Sequence, residues 1–216
     1  NIDVVLGLRH DNFDTKEIFS PRIAFAFKRN ENTTYRFSYG HGFRTPSFSE
    51  RLIDWENTQV GYTIKGNPSL KPEISKGVNV GLEFSNMNNF QINSLFYLNS
   101  FSNLIKSFST EPGVFTYENI ETAYYRGLEI ITKWVISNSL SSSFTINFVE
   151  NEDGDGNQLP ETIPLSFGGK LSYTPNNEKT ILTTNLRGIG PYKPMEFNSS
   201  TGSYAETSKP IKAYLL

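Results

Sequence analysis

The sequence predicts an all-β protein, an antiparallel up-and-down transmembrane β-barrel, of which this chain supplies about ten strands of a larger barrel. Three observations carry that prediction. Apolar and polar residues alternate with period two along most of the 216 residues, the mark of a strand with two unlike faces. The connections alternate between short and long, as the two ends of a membrane barrel do. Aromatic residues reach 14%, with 17 Phe and 11 Tyr, which is high for a polar chain.

The strands follow in order. Ile2, Val4, Leu6 and Leu8 alternate with Asp3, Gly7 and Arg9. Ile23, Phe25 and Phe27 alternate with Arg22, Ala24, Ala26 and Lys28, and Tyr35, Phe37 and Tyr39 with Thr34, Arg36 and Ser38. Val78, Val80, Leu82 and Phe84 oppose Asn79, Gly81 and Glu83. Phe90, Ile92, Phe96 and Leu98 oppose Gln91, Asn93, Tyr97 and Asn99. Leu128, Ile130 and Trp134 oppose Glu129 and Lys133, and Phe144, Ile146 and Phe148 oppose Ser143, Thr145 and Asn147. Further strands are expected over 165–173, 180–186 and 212–216, the first interrupted by Gly168 and Gly169. Short polar connections near Asn30, Met87, Asn138 and Asn176 carry the Asn, Ser and Pro chemistry of tight turns. Long connections are expected over 11–19, 40–72, 107–117, 150–164 and 188–210. No helical periodicity, low-complexity linker or second domain is visible.

Composition narrows the function. A net charge of −2 offers no footprint for nucleic acid. The absence of Cys removes disulfides and thiolate metal sites. Mean hydropathy is that of a water-soluble chain, but only alternate residues of a barrel strand meet lipid. The first residues have no basic segment before an apolar core, so no signal peptide is read there.

Five motifs lie in one order along the chain. "YGHGFRTPSFSERL" (Tyr39 to Leu52) is followed by "GNPSLKPEIS" (Gly66 to Ser75) and then by "YENIETAYYRGLEI" (Tyr117 to Ile130). Upstream stand "GLRHD" at Gly7 and "SPRIAFAF" at Ser20, with His10 where Tyr is usual. Together they resemble the barrel of TonB-dependent outer-membrane receptors. The resemblance implies a bacterial outer-membrane transporter rather than an enzyme, with a plug inside the barrel and energy from the TonB complex. It implies a bulky, scarce ligand, an iron–siderophore first and cobalamin next. It places the plug, the early strands and the final strands outside residues 1–216, which would be a partial barrel domain.

Candidate functional residues sit on the long connections. Pro46 and Pro68 lack an N–H and belong where strand pairing ends. Arg44 has a planar fork suited to bridging loop carbonyls or carboxylates at the rim. His41, Arg44, Trp55 and Tyr62 are the candidate ligand contacts, Trp55 and Tyr62 by stacking and hydrogen bonding. Haem receptors of the family place a histidine between the halves of the paired motif, and 47–66 contains none. "NEDGDGN" matches half of a calcium loop through Asn151, Asp153, Asp155 and Gly156, but Thr162 stands where the bidentate Glu belongs. No catalytic elbow or zinc-binding helix motif occurs. A soluble secreted carbohydrate- or ligand-binding module is the alternative class, distinguished by a polar outer face and solubility without detergent.

Overall fold

Strand pairing extends almost unbroken from one end of the chain to the other in the computed structural model. It describes residues 1–13, 16–59, 61–86, 88–111, 113–159, 162–175, 180–198, 203–206, 209–212 and 214–215. The elements are β1 (Ile2–Phe13), β2 (Lys16–Lys28), β3 (Thr33–Arg44), a short helix α1 (Phe48–Leu52), β4 (Asp54–Asn57), β5 (Tyr62–Lys65), β6 (Glu73–Ser85) and β7 (Phe90–Glu111). They continue with β8 (Val114–Ser137), β9 (Leu140–Asp153), β10 (Leu165–Tyr173), β11 (Leu182–Ile189), β12 (Met195–Asn198), β13 (Ser203–Glu206) and β14 (Tyr214–Leu215). The wall runs β1-β2-β3-β6-β7-β8-β9-β10-β11-β14, every neighbour antiparallel. Among the described residues β1 and β14 each pair with one strand, so the wall is an open sheet.

The register sorts side chains onto two faces. One row across the sheet reads Val4, Phe25, Phe37, Val80, Phe96, Leu128, Phe148 and Leu165. The opposite face carries Asp3, Ala26, Arg36, Gly81, Leu95, Glu129, Asn147 and Ser166 at a neighbouring level. The polar face is concave: hollows there are lined by Arg36, Asn79, Glu83 and Glu129 at one end and by Thr145, Lys170 and Arg187 at the other. On it the Arg36 guanidinium grips both oxygens of Glu83 at 2.6 and 3.0 Å, and Asn79 donates to the Ser38 hydroxyl.

Among the described residues the apolar face has no layer packed on it. Val80 is 48% and Phe148 50% exposed. Among the described residues the buried apolar ones are Leu70, Leu104, Ile105, Ala123 and Leu159. All five lie toward the end with long connections, so the wall itself has no interior core. The outward apolar band has legible edges. Below it Phe90 pairs with Trp134 beside a short turn; above it, one step beyond the Leu128–Phe148 pair, Arg126 meets Glu150 at 2.8 Å. Leu128 and Trp134 are six residues apart, about 20 Å along a strand, which suits a lipid-facing band about 25 Å tall. No helix of the described residues is long and apolar enough to span a membrane, which says nothing against a barrel.

The short turns close as their residues dictate. Asn30 Oδ1 accepts the Asn32 N–H, and Ser137 Oγ accepts that of Ser139. Asn86 Oδ1 accepts the N–H groups of Asn88, Asn89 and Phe90. Met87 and Asn176, the expected centres of two of these turns, lie outside the described residues.

Two expected long connections are mostly strand. β1 and β2 pair out to Phe13 and Lys16, and β7 and β8 pair out to Glu111 and Val114 with one register shift between Ser109 and Glu111. These extensions rise above the lipid, where neither face needs to be apolar, so the period-two signal fades while backbone pairing continues. The 40–72 connection holds α1, β4 and β5, and the 188–210 connection holds the β12–β13 hairpin.

Candidate functional site at the barrel rim

The paired motif is one hydrogen-bonded knot. Arg44 ends β3 on its concave face, paired in register with Glu73 at the start of β6. Its Nε and Nη2 donate to the two Glu73 oxygens at 2.6 and 2.7 Å, and its Nη1 donates to both oxygens of Glu50 at 3.0 and 2.9 Å. The same Glu73 carboxylate accepts the Ile105 N–H of β7 at 2.8 Å. One guanidinium thus joins β3, α1 and β6, and β7 is drawn in through Glu73. These hydrogen bonds and the two negative charges hold Arg44 well above its ordinary value. Burial raises the Glu50 carboxyl, but the bonds from Arg44 and Ser47 and the Arg44 charge outweigh it, and the net shift is downward.

Glu50 also builds α1. Ser47 Oγ accepts the Glu50 N–H, and the Glu50 carboxylate accepts the Ser47 N–H at 2.6 Å, a reciprocal cap on the helix start. Gly66 then passes over the helix end. A Cβ there would stand 2.5 Å from the Arg51 carbonyl carbon, so no other residue fits without moving backbone. Asn67 donates from Nδ2 to the Tyr117 carbonyl, and its own N–H reaches the Glu50 carbonyl. Asn119 mimics a strand neighbour: its Oδ1 accepts the Lys71 N–H and its Nδ2 donates to the carbonyls of Lys71 and Asn103. The "NPSLKPE" run is thereby fastened to β8 by two asparagine side chains. Further down β8, Gly127 lies beneath the Tyr97 ring, which a Cβ would meet at 2.4 Å. The Gly-Leu-Glu motif owes its glycine to that contact.

The β4–β5 hairpin leans on β8 through a parallel pairing of Thr63 with Val114 and Ile64 with Phe115. Trp55 and Tyr62 meet edge to face at 5.2 Å, and Tyr62 meets Phe115 at 6.3 Å. Two candidate ligand contacts therefore stand together, and Arg44 lies at the base of the same cap. His41 is elsewhere. It projects from the outward face, shares a 2.8 Å hydrogen bond with the Tyr39 hydroxyl and pairs in register with Lys76. It sits at the upper edge of the lipid band rather than over the concave face.

The acidic loop closes on itself. Asn151 is buried; its Nδ2 donates to the Thr162 hydroxyl and its Oδ1 accepts the Leu159 N–H. Asp153 accepts from the N–H groups of Asp155 and Asn157 and from the Asn157 amide. Burial raises the Asp153 carboxyl, but these donors outweigh it and hold it below its ordinary value. Asp155 is exposed at the loop tip. Among the described residues no three His, Cys, Asp or Glu gather as a metal site. Sequence reasoning passed over Glu50, Asn119 and Phe115 as functional residues. The Ser-x-x-Glu capping pattern was there to find Glu50; Asn119 and Phe115 gain their roles only from pairing across the loop.

A sheet bare and apolar on one side, polar and concave on the other, and capped by a folded rim at one end is the wall of an outer-membrane barrel. The TonB dependent receptor-like β-barrel family model matches residues 1–216, and the chain belongs to that family. It is 28% identical over 187 residues to the iron-regulated outer membrane virulence protein of Vibrio cholerae serotype O1, covering 79% of this chain and 29% of that protein. It is 36% identical over 94 residues to the vitamin B12 transporter BtuB of Vibrio vulnificus, 43% of this chain and 14% of that protein. Among solved structures, the ferric enterobactin receptor PfeA of Pseudomonas aeruginosa superposes with a TM-score of 0.76 at 18% identity, covering 99% of this chain and 34% of that one. The siderophore receptor PirA of Acinetobacter baumannii gives 0.77 at 16% identity, covering 99% and 36%. These likenesses show the fold, and the chain spans about a third of such proteins. Its place is the bacterial outer membrane, which sets aside the soluble secreted module.

Proposed function

We propose that this chain is wall and extracellular rim of a transporter that takes up a bulky, scarce nutrient, driven by the TonB complex acting on a plug within the barrel. An iron–siderophore complex is the first reading and cobalamin the second. One observation carries it: a preformed cap, knotted by Arg44, Glu50 and Glu73, stands over a polar concave face. The cap offers a ligand surface, and the polar face offers partners to a plug. Relatives named for iron regulation and for vitamin B12 transport support both ligand readings. Transport needs no catalytic group. Trp55, Tyr62 and Arg44 are proposed at the ligand side, Arg44 as the residue that holds the others in place. His41 is assigned to the membrane boundary and the 151–157 loop to self-closure.

The test is uptake of labelled ferric siderophores and labelled cobalamin by cells carrying the full-length receptor as their sole high-affinity route. Accumulation of one ligand that stops when TonB is removed supports the proposal. Accumulation of neither, or accumulation indifferent to TonB, contradicts it.

A further inference from the structure

The parallel seam between β5 and β8 creates more than a support for the hairpin. Beside the Trp55, Tyr62 and Phe115 rings opens a cleft of about 620 Å³, lined by Tyr62, Ile64, Phe115 and Tyr117 with Ser107 and Thr116. None of the described residues lining it carries a charge. The ends of β7 and β8 that wall it are net acidic. The 103–122 segment sets Lys106 against Glu111, Glu118 and Glu121. Arg44, one of the cations of the cap, is already committed to two carboxylates.

We infer that this cleft takes an uncharged ligand surface, so that the receptor selects an electroneutral metal chelate or corrinoid over polyanionic chelates. The inference rests on the uptake reading and narrows it. Flat or apolar parts of a ligand gain contact area and ring geometry against Tyr62 and Phe115. Ligand amides and carbonyls find donors and acceptors in the Ser107 and Tyr117 hydroxyls. A polyanion finds no cation among the described residues lining the cleft, and the net acidic ends of β7 and β8 disfavour it.

The experiment uses the full-length receptor in detergent and follows tryptophan fluorescence during titration. The probes are a neutral ferric trihydroxamate, cyanocobalamin and a triply anionic ferric tricatecholate. One neutral probe should bind at least about tenfold more tightly than the tricatecholate; which of the two does so separates chelate from corrinoid. Tyr62→Ala and Phe115→Ala should each weaken that probe about five- to tenfold. Phe115→Leu keeps apolar bulk, guards against misfolding and should still lose part of the affinity. Glu111→Lys, outside the cleft lining, should strengthen the tricatecholate and leave the neutral probe unchanged. A tricatecholate that binds tightest, or neutral binding untouched in all three aromatic variants, overturns this inference and leaves the uptake reading standing. Binding of none of the three probes removes the uptake reading and this inference with it.

Discussion

Arg44 is where one side chain decides the shape of a loop. Its planar fork satisfies two carboxylates at once, and Glu73 passes the constraint on to the Ile105 amide. A lysine would keep the charge and lose the bidentate geometry. In Arg44→Lys, hydrogen exchange at the Ile105 amide should quicken by the equivalent of about 1–2 kcal/mol of local stability; unchanged protection would remove Arg44 from the knot. The pH response has a defined sign. The Glu50 carboxyl is lower in the folded protein than its ordinary 4.5, so its contribution is fully present above that value. It is lost as pH falls through the lowered folded value. Trp55 fluorescence should therefore be flat from neutral pH down to about 5 and change only below the ordinary carboxylate range. In Glu50→Gln that acid transition should flatten.

Among the elements, the loop between β3 and β6 is held by residues far from it in sequence. Asn119 bridges 48 residues to Lys71, and Asn67 bridges 50 to Tyr117. Asn119→Ala removes three hydrogen bonds, two of them to the Lys71 backbone, and leaves β8 otherwise intact. It should free the 66–73 segment, seen as protease cleavage there while the barrel keeps its heat-modifiable migration; cleavage no faster than in the parent would show that the segment is held by other means. Such contacts explain what was legible in advance. Strands over the lipid band were readable because lipid and lumen impose opposite demands on alternate residues, and strands such as 165–173 emerge with the bounds expected. The extensions at 11–19 and 107–117 were not, because water on both faces imposes no alternation. The rim was half legible. Arg44 could be read as a bridge from its chemistry, and Trp55 and Tyr62 as loop aromatics. Their partners Glu50 and Phe115, and the outward placement of His41, depend on register.

For the whole molecule, the two faces are the account. Charge on the outward face faces hydrocarbon. Phe25→Arg, Val80→Arg and Ile146→Arg should each cost about 2–4 kcal/mol near the midplane. The same change at Asn79 or Thr145, on the concave side, should cost much less. Folding into vesicles against denaturant measures the difference; equal costs on both faces would describe a sheet buried on both sides. The topology follows as well. Tags at Glu56, Asp155 and Ser203 should be reached on intact cells, and tags at Met87 and Asn176 should not.

The most direct measurement is lipid contact, residue by residue, in the full-length receptor reconstituted in vesicles. Fluorophores at Phe25, Val80 and Ile146, and at Arg36, Asn79 and Glu129, would be read against quenchers carried on lipid chains. The account predicts strong quenching at the first three and weak quenching at the second three. Quenching that is alike on both sets, or stronger at Arg36, Asn79 and Glu129, would contradict it.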